Sequence, residues 1–300
     1  MLEPFYWLWY KPLVSRLIGA ALGVGGAAGL GLLAYATQVE PYWLQIVRRD
    51  LPLPGLPQAL DGLTVLHLSD LHARPGDRRG GRVVARAAGL TADLVALTGD
   101  YGDIPPFAEV AAELLRPLRS RLGVYAVLGN HDSDVAPYDA PHRYGRDTAM
   151  RVGALLEARL GATVLFDQSV RLEQRGARLW IVGLDDPHTF YDDPVRAFRG
   201  VPDDEPAIVL AHSWEPALPL ERSGATVVLC GHTHGGQVRA PFQDAPETNT
   251  HRRPRRAGGL FWLGPTAVHI SHGLGGSRAL RFLVRPQAVI FRLRAAPFPL

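Results

Sequence analysis

The chain has 300 residues, enough for one large α/β domain and an appendage. Apolar residues make up 47% and charged residues 20%, which allows a sizeable core, and a net charge of +3 is too weak and scattered to argue for nucleic acid. Cys230 is the only cysteine, which excludes an intramolecular disulfide and a cysteine-rich zinc site, so any metal site must be built from His, Asp, Glu and Asn.

In chain order, the first element is apolar. Residues 1–12 form an aromatic flank with Phe5, Tyr6, Trp7, Trp9 and Tyr10. Residues 13–37 read as a transmembrane helix. Arg16 is their only charge and lies near one end, where it can snorkel. The 20 uncharged residues from Leu17 to Ala36 are enough to cross a hydrocarbon core of about 30 Å. Tyr42 and Trp43 complete an aromatic belt. Gly19 with Gly23, and Gly25 with Gly29, have the spacing that lets membrane helices approach. A cleaved signal peptide is the rival reading, but Glu3 and five aromatics precede Lys11, an unusual start for one. A retained single-pass anchor in the cell membrane is therefore expected. Lys11 and Arg16 balance Arg48 and Arg49, which leaves the side of the catalytic domain open. Residues 38–60, which end in LPLPGLPQAL, read as a stiff linker.

Residues 61–300 read as one domain in which strand-like and helix-like runs alternate. Strands are expected at 63–69, 93–98 and 124–129, with helices at 82–90, 107–118 and 148–160 between and after them. Further strands are expected at 162–166, 170–172, 178–184, 207–212, 226–230, around 261–263, at 267–271 and at 288–293. The first half consists of βα units, hence a partly parallel sheet with helices on both faces. The later strands follow one another closely and imply a second sheet packed on the first.

Ligands in such sheets collect beyond the carboxyl ends of the strands. Asp70 and His72 follow the first strand, Asp100 the second, and Asn130, His131 and Asp132 the third; His212 ends AIVLAH, and His232 and His234 follow TVVLC. Setting His131 and Asp132 aside, two Asp, one Asn and four His remain. This mixture suits Mn²⁺, Fe or Zn²⁺ and is poor for Ca²⁺. Seven donors exceed one closed site but suffice for two ions sharing one carboxylate, and such a pair can clamp a phosphoryl group. Asp100 is the natural bridge, and His232 and His234 can each serve a different ion.

Asp70-x-His72, Gly99-Asp100, Gly129-Asn130-His131-Asp132, His212 and Gly231-His232-x-His234 resemble, in order, the five signature blocks of the calcineurin-like metallophosphoesterases. The resemblance implies an α/β/β/α sandwich of two mixed sheets flanked by helices. It also implies two divalent metal ions. One would take Asp70, His72, Asp100 and His234; the other would take Asp100, Asn130, His212 and His232. His131 would be catalytic, contacting the phosphate and protonating the leaving oxygen, with Asp132 orienting or polarising it. GHTHGGQVRAPF and SHGLGGSRALRFLVRPQAVIFRL resemble the family's membrane-associated branch, which includes phosphodiesterase-like proteins and UDP-2,3-diacylglucosamine pyrophosphatases. His272 departs from that branch, where arginine is expected.

The resemblance and the anchor together imply a membrane-bound phosphodiesterase or pyrophosphatase acting on a phosphoester, with a lipid-linked one such as UDP-2,3-diacylglucosamine favoured. The rivals are a phosphoprotein or nucleic-acid phosphoesterase and a non-catalytic membrane scaffold. The full donor set argues against the scaffold, and the anchor and lack of long basic tracts argue against nucleic acid. His67 reads as a core histidine, Asp185 to His188, after another strand end, as an Asp-Pro turn in preference to a lining of the cleft, and Trp180 and Trp262 as core. The basic run 251–256 suits lipid headgroups, a substrate phosphate or a solvated loop equally, and Arg278, Arg281 and Arg285 are further phosphate candidates.

Overall fold

The computed structural model describes residues 26–102, 105–133, 145–189, 191–215, 226–240, 257–276 and 279–297. The aromatic flank, most of the expected membrane helix, the basic run 251–256 and Arg278 lie outside the described residues. Among the described residues, no helix is long and apolar enough to cross a membrane. What is described of the apolar segment is a short helix, α1 (Gly26–Ala34), continued by a π-helical turn, Tyr35–Val39, and a 3-10 turn, Glu40–Tyr42. Leu30, Leu32, Leu33, Val39 and Trp43 are all exposed.

The first sheet has the order β1-β12-β2-β3-β4-β5. Its strands are β1 (Gln45–Pro54), β2 (Thr64–Leu68), β3 (Leu94–Thr98), β4 (Val124–Val127), β5 (Thr163–Val164) and β12 (Gln287–Ala296). β2 to β5 run parallel, as the βα pattern requires, while β12 is antiparallel to β2 and parallel to β1. The stretch read as a linker is thus corrected: ten of its residues form the sheet's edge strand, paired with β12 from Gln45↔Gln287 to Pro54↔Ala296. Its prolines are tolerated because an edge strand needs amide donors on one side only.

The second sheet has the order β10-β11-β9-β8-β7-β6. It comprises β6 (Gln168–Gln174), β7 (Ala177–Gly183), β8 (Ala207–Leu210), β9 (Thr226–Cys230), β10 (Gly259–Leu263) and β11 (Thr266–Ile270). The two sheets pack face to face. Leu94, Ala96 and Val127 from the first meet Ile181, Ile208 and Leu229 from the second. The first sheet's outer face, including Leu66, Val95 and Leu97, is covered by α2 (Arg78–Ala88), α3 (Pro105–Leu115) and α4 (Gly145–Leu160), so these helices lie on one face and not on both as expected, the other face being taken by the second sheet. Val209, Val228 and Val268 of the second sheet pack with Trp214, Phe261 and Ala197 of the short helix α5 (Pro194–Ala197). The α/β character and the two mixed sheets match the expectation. Trp262 does not: its side of β10 faces outward and it is 41% exposed.

The segment after α1 is docked on the domain. Glu40, 1% exposed, accepts the amide of Leu283, and the carbonyl of Ala36 accepts the amide of Arg281. The Arg285 guanidinium lies 4.2 Å over the Trp43 ring and donates to the Trp43 and Leu44 carbonyls. Arg79 of α2 lies 3.9 Å over Tyr42.

Candidate metal centre

Because β2, β3 and β4 are parallel, their carboxyl ends open on one edge, and β8 and β9 bring theirs to the same place. The loops leaving these ends are laced together. The Asp70 and His72 amides donate to the carbonyls of Gly99 and Asp100, and the Gly231 amide donates to that of His212. Asp70, His72, Asp100, His232 and His234 all have φ between 45° and 68°. A left-handed backbone at a non-glycine residue costs about 1 kcal/mol or more and persists only where the surroundings enforce it. Five such residues at one sheet edge mark a site. Gly231 lets the two sheets close: a Cβ there would overlap Ser69 Oγ and Asp70 Oδ2.

The side chains converge at this edge. Asp70, His72, Asp100 and His234, all buried, offer donor atoms within 4.8 Å of one another, a group that could hold a metal ion. His72 Nε2 lies 3.3 Å from His234 Nε2. The second set meets alongside: His232 Nδ1 is 3.1 Å from Asn130 Oδ1 and 3.2 Å from His212 Nε2. Asp100 stands between the sets, its Oδ2 3.5 Å from His72 Nε2 and 3.3 Å from His212 Nε2. Each carboxylate ties one oxygen to the backbone and presents the other. Asp100 Oδ1 accepts the His131 amide and Asp70 Oδ1 the His232 amide, while Asp70 Oδ2 is buried without a hydrogen bond. His212 Nδ1 lies 2.7 Å from the Thr98 carbonyl, which fixes that nitrogen as a donor and turns Nε2 toward Asp100 and His232.

The electrostatics fit cations. Burial, reinforced by His188 and His212, lowers the His232 pKa to about 3, and burial beside His72 holds His234 well below the usual range. Both imidazoles are thus neutral, the form that ligates metals. Burial raises Asp70, helped by the charge of Asp100. Despite its burial, Asp100 is held well below the usual carboxylate range by His212 and His131. Closely packed lone pairs on neutral imidazoles and a buried carboxylate oxygen without a donor suit divalent ions.

The neighbouring residues divide differently from the motif reading. His131 is half-buried, its ring 5.0 Å from that of His72. Asp132 does not have the orienting geometry expected: its carboxylate accepts three backbone amides, from Asp100 (2.7 Å), Gly129 (2.9 Å) and Tyr101 (2.8 Å). It clamps the turn that carries Asp100. His188, read as part of a turn, stacks on His232 at 4.2 Å, its Nδ1 3.1 Å from Asp186 Oδ1. The Asp-Pro turn exists, and it lines the site as well, the less favoured of the two readings, because sheet order brings the end of β7 near that of β9. His67 is a core histidine, 3.0 Å from His269 and 2.9 Å from Thr98 Oγ1. Arg281 is not a phosphate ligand in this arrangement: it is 2% exposed and donates to the carbonyls of His272, Gly273, Gly275 and Val284. Arg285 is held by Trp43 and Leu44. His272 has its pKa lowered to about 3 by burial and by Arg239 and Arg281, so it is neutral.

Comparison with known proteins finds relatives that match nearly the whole chain. The chain is 27% identical over 296 residues to the metallophosphoesterase YkuE of Bacillus subtilis, covering 95% of this chain and 96% of that one. It is 27% identical over 288 residues to the phosphodiesterase YaeI of Escherichia coli (94% and 100%), and 26% identical over 333 residues to the UDP-2,3-diacylglucosamine pyrophosphatase LpxG of Chlamydia trachomatis (95% and 99%). Residues 63–236, from β2 through the last of the converging histidines, match the calcineurin-like phosphoesterase model. By fold, by site and by this match the chain belongs to the calcineurin-like phosphoesterases, metal-dependent hydrolases of phosphoric esters.

Proposed function

We propose that this protein is a membrane-anchored dimetal phosphoesterase that cleaves a phosphodiester or pyrophosphate bond in a lipid-linked substrate such as UDP-2,3-diacylglucosamine. One observation carries the dimetal reading: Asp100 Oδ2 stands within 3.5 Å of imidazole nitrogens from both donor sets. Asp70, His72, Asp100 and His234 would hold one ion, and Asp100, Asn130, His212 and His232 the other. Two such ions, Mn, Fe or Zn, supply Lewis acidity that lowers the pKa of the attacking water and offsets charge on the phosphoryl oxygens. The chain's own groups do the rest. His131, anchored through its amide to Asp100, is the proton donor to the leaving oxygen. Asp132 holds the Asp100 turn, and the Thr98 carbonyl holds the His212 ring.

The membrane reading is supported by the apolar run 13–37 and by exposed Leu30, Leu32, Leu33 and Trp43 where that run meets the domain. The lipid-linked substrate is supported by similarity to LpxG. Purified protein should hydrolyse bis-p-nitrophenyl phosphate with added Mn²⁺, and Asp100→Asn and His131→Ala should each lose at least about 100-fold in kcat. Hydrolysis unchanged by both substitutions would refute the site.

A further inference from the structure

His188 belongs to neither donor set, yet its ring stacks on that of His232, with centroids 4.2 Å apart and planes 30° apart. In the first set His234 tilts against His72 at 4.9 Å, but His72 is itself a donor of that set. A ring from outside the sets, laid on one donor, is a different arrangement.

Several contacts hold His188 there. Beyond β7 the Leu184 amide donates to the Leu210 carbonyl, and the Asp185 amide donates to Asp167 Oδ1, both at 2.9 Å. The turn Pro187–Thr189 is closed by the amide and hydroxyl of Thr189, which donate to the Asp186 carbonyl at 3.0 and 2.7 Å. It packs against the turn Asn130–Ser133, so it stands on the second set's side of the centre. His188 Nδ1 lies 3.1 Å from Asp186 Oδ1. Asp186 is 3% exposed, and its Oδ2 is buried without a hydrogen bond. A buried carboxylate so incompletely paired is costly, and packing alone would be served by an apolar residue. Orienting His188 is what this one does.

His232 needs such a hold. It follows Gly231 with a φ of 68°, and its Nδ1 has to face Asn130 and His212. The torsion that turns an imidazole about its Cβ–Cγ bond is broad, so rotation would carry that nitrogen out of the site. His212 meets the ring edge-on, at 5.0 Å and 76°, and His212 is itself fixed by the Thr98 carbonyl. His188 covers a face of the ring and blocks its rotation.

We propose that His188 is a positioning residue. Stacked on His232 and oriented by Asp186, it keeps that imidazole in the plane that ligates the second ion. It thereby sets the affinity for the second ion and not for the first. This deepens the dimetal reading above and rests on it.

The test titrates Mn²⁺ into the full chain in detergent micelles, stripped of metal by chelation. Electron paramagnetic resonance reads the sharp six-line signal of unbound Mn²⁺. Wild type should take up two ions per chain. His188→Gln loses the ring but keeps a donor for Asp186. It should weaken the second ion about 10–100-fold, the usual effect of removing a partner behind a metal ligand, and leave the first within about twofold. His188→Phe keeps a flat ring without that donor, and should regain at least about threefold of the loss. A second ion bound by His188→Gln as by wild type would overturn the proposal. So would equal weakening of both ions, or a Phe variant as weak as the Gln variant. Hydrolysis of bis-p-nitrophenyl phosphate adds a second readout. The Mn²⁺ needed for half-maximal rate should rise in His188→Gln, with KM for the ester at saturating Mn²⁺ within about twofold of wild type. A raised KM with unchanged Mn²⁺ demand would instead make His188 a substrate contact and overturn the proposal. A wild type that binds one ion sinks the dimetal reading and the proposal with it, whereas two ions and an unaltered Gln variant sink the proposal alone.

Discussion

Asp132→Asn tests how the site is built. The carboxylate receives three buried amides, two on Oδ2 and one on Oδ1. Asparagine offers one carbonyl oxygen, so it keeps at most the Asp100 and Gly129 amides, and its NH₂ group then faces the Tyr101 amide. One hydrogen bond to a charged acceptor is lost, worth about 1.5–3 kcal/mol, and a buried donor is left unsatisfied, at about 1–3 kcal/mol. Since these overlap, the net loss should be about 2–4 kcal/mol. For a domain of this size that lowers Tm by roughly 5–15 °C. Because these amides carry the Asp100 turn, kcat/KM should also fall about 10–100-fold, the usual effect of removing a partner behind a metal ligand. Burial and the Asp100 charge raise the Asp132 pKa to about 7, so melting and kinetics are compared at pH 8, where the wild-type carboxylate is ionised. A Tm within about 1 °C of wild type together with kcat/KM within about twofold would refute the clamp.

Gly231→Ala should leave a folded protein that binds metal poorly, because the new Cβ overlaps Asp70 Oδ2 and Ser69 Oγ. Metal content by mass spectrometry should fall below half of wild type, and wild-type content would contradict the close approach of the two sheets. Chelation should abolish hydrolysis and lower Tm by about 5–10 °C, from the roughly 2.7 kcal/mol that a ligand at a hundred times its Kd contributes, with Mn²⁺ restoring both. An unchanged melt after verified metal removal would show that the buried donors are stable without ions.

The parts legible in the sequence are those whose signal is local. TVVLC is a strand in both readings, and the polar residues after each strand end are brought together because parallel strands share an edge. The edge strand β1 was hidden by Pro52 and Pro54, since its partner lies some 240 residues away and nothing nearby shows which amides are needed. The role of Asp132 was hidden for a similar reason. Its neighbours in sequence suggest His131, whereas its hydrogen bonds reach the turn after β3. His188 meets His232 only because β7 and β9 flank β8 in the second sheet.

The pairing of β1 with β12 has a consequence for how the molecule comes into being. β12 is inserted between β1 and β2, so the earliest strand of the domain has no neighbour until the last has been made. At about 5–20 residues per second, β1 waits roughly 10–50 s during synthesis. Throughout that time an unpaired strand edge and its apolar Leu51 and Leu53 stand open next to the apolar segment. Bringing β12 back also closes the loop 272–276, through Gln287 donating to the carbonyl of Gly273, and that loop packs on Asp70. Completion of the donor set is thereby tied to β12, so a product interrupted before it should carry the motifs without the centre they build.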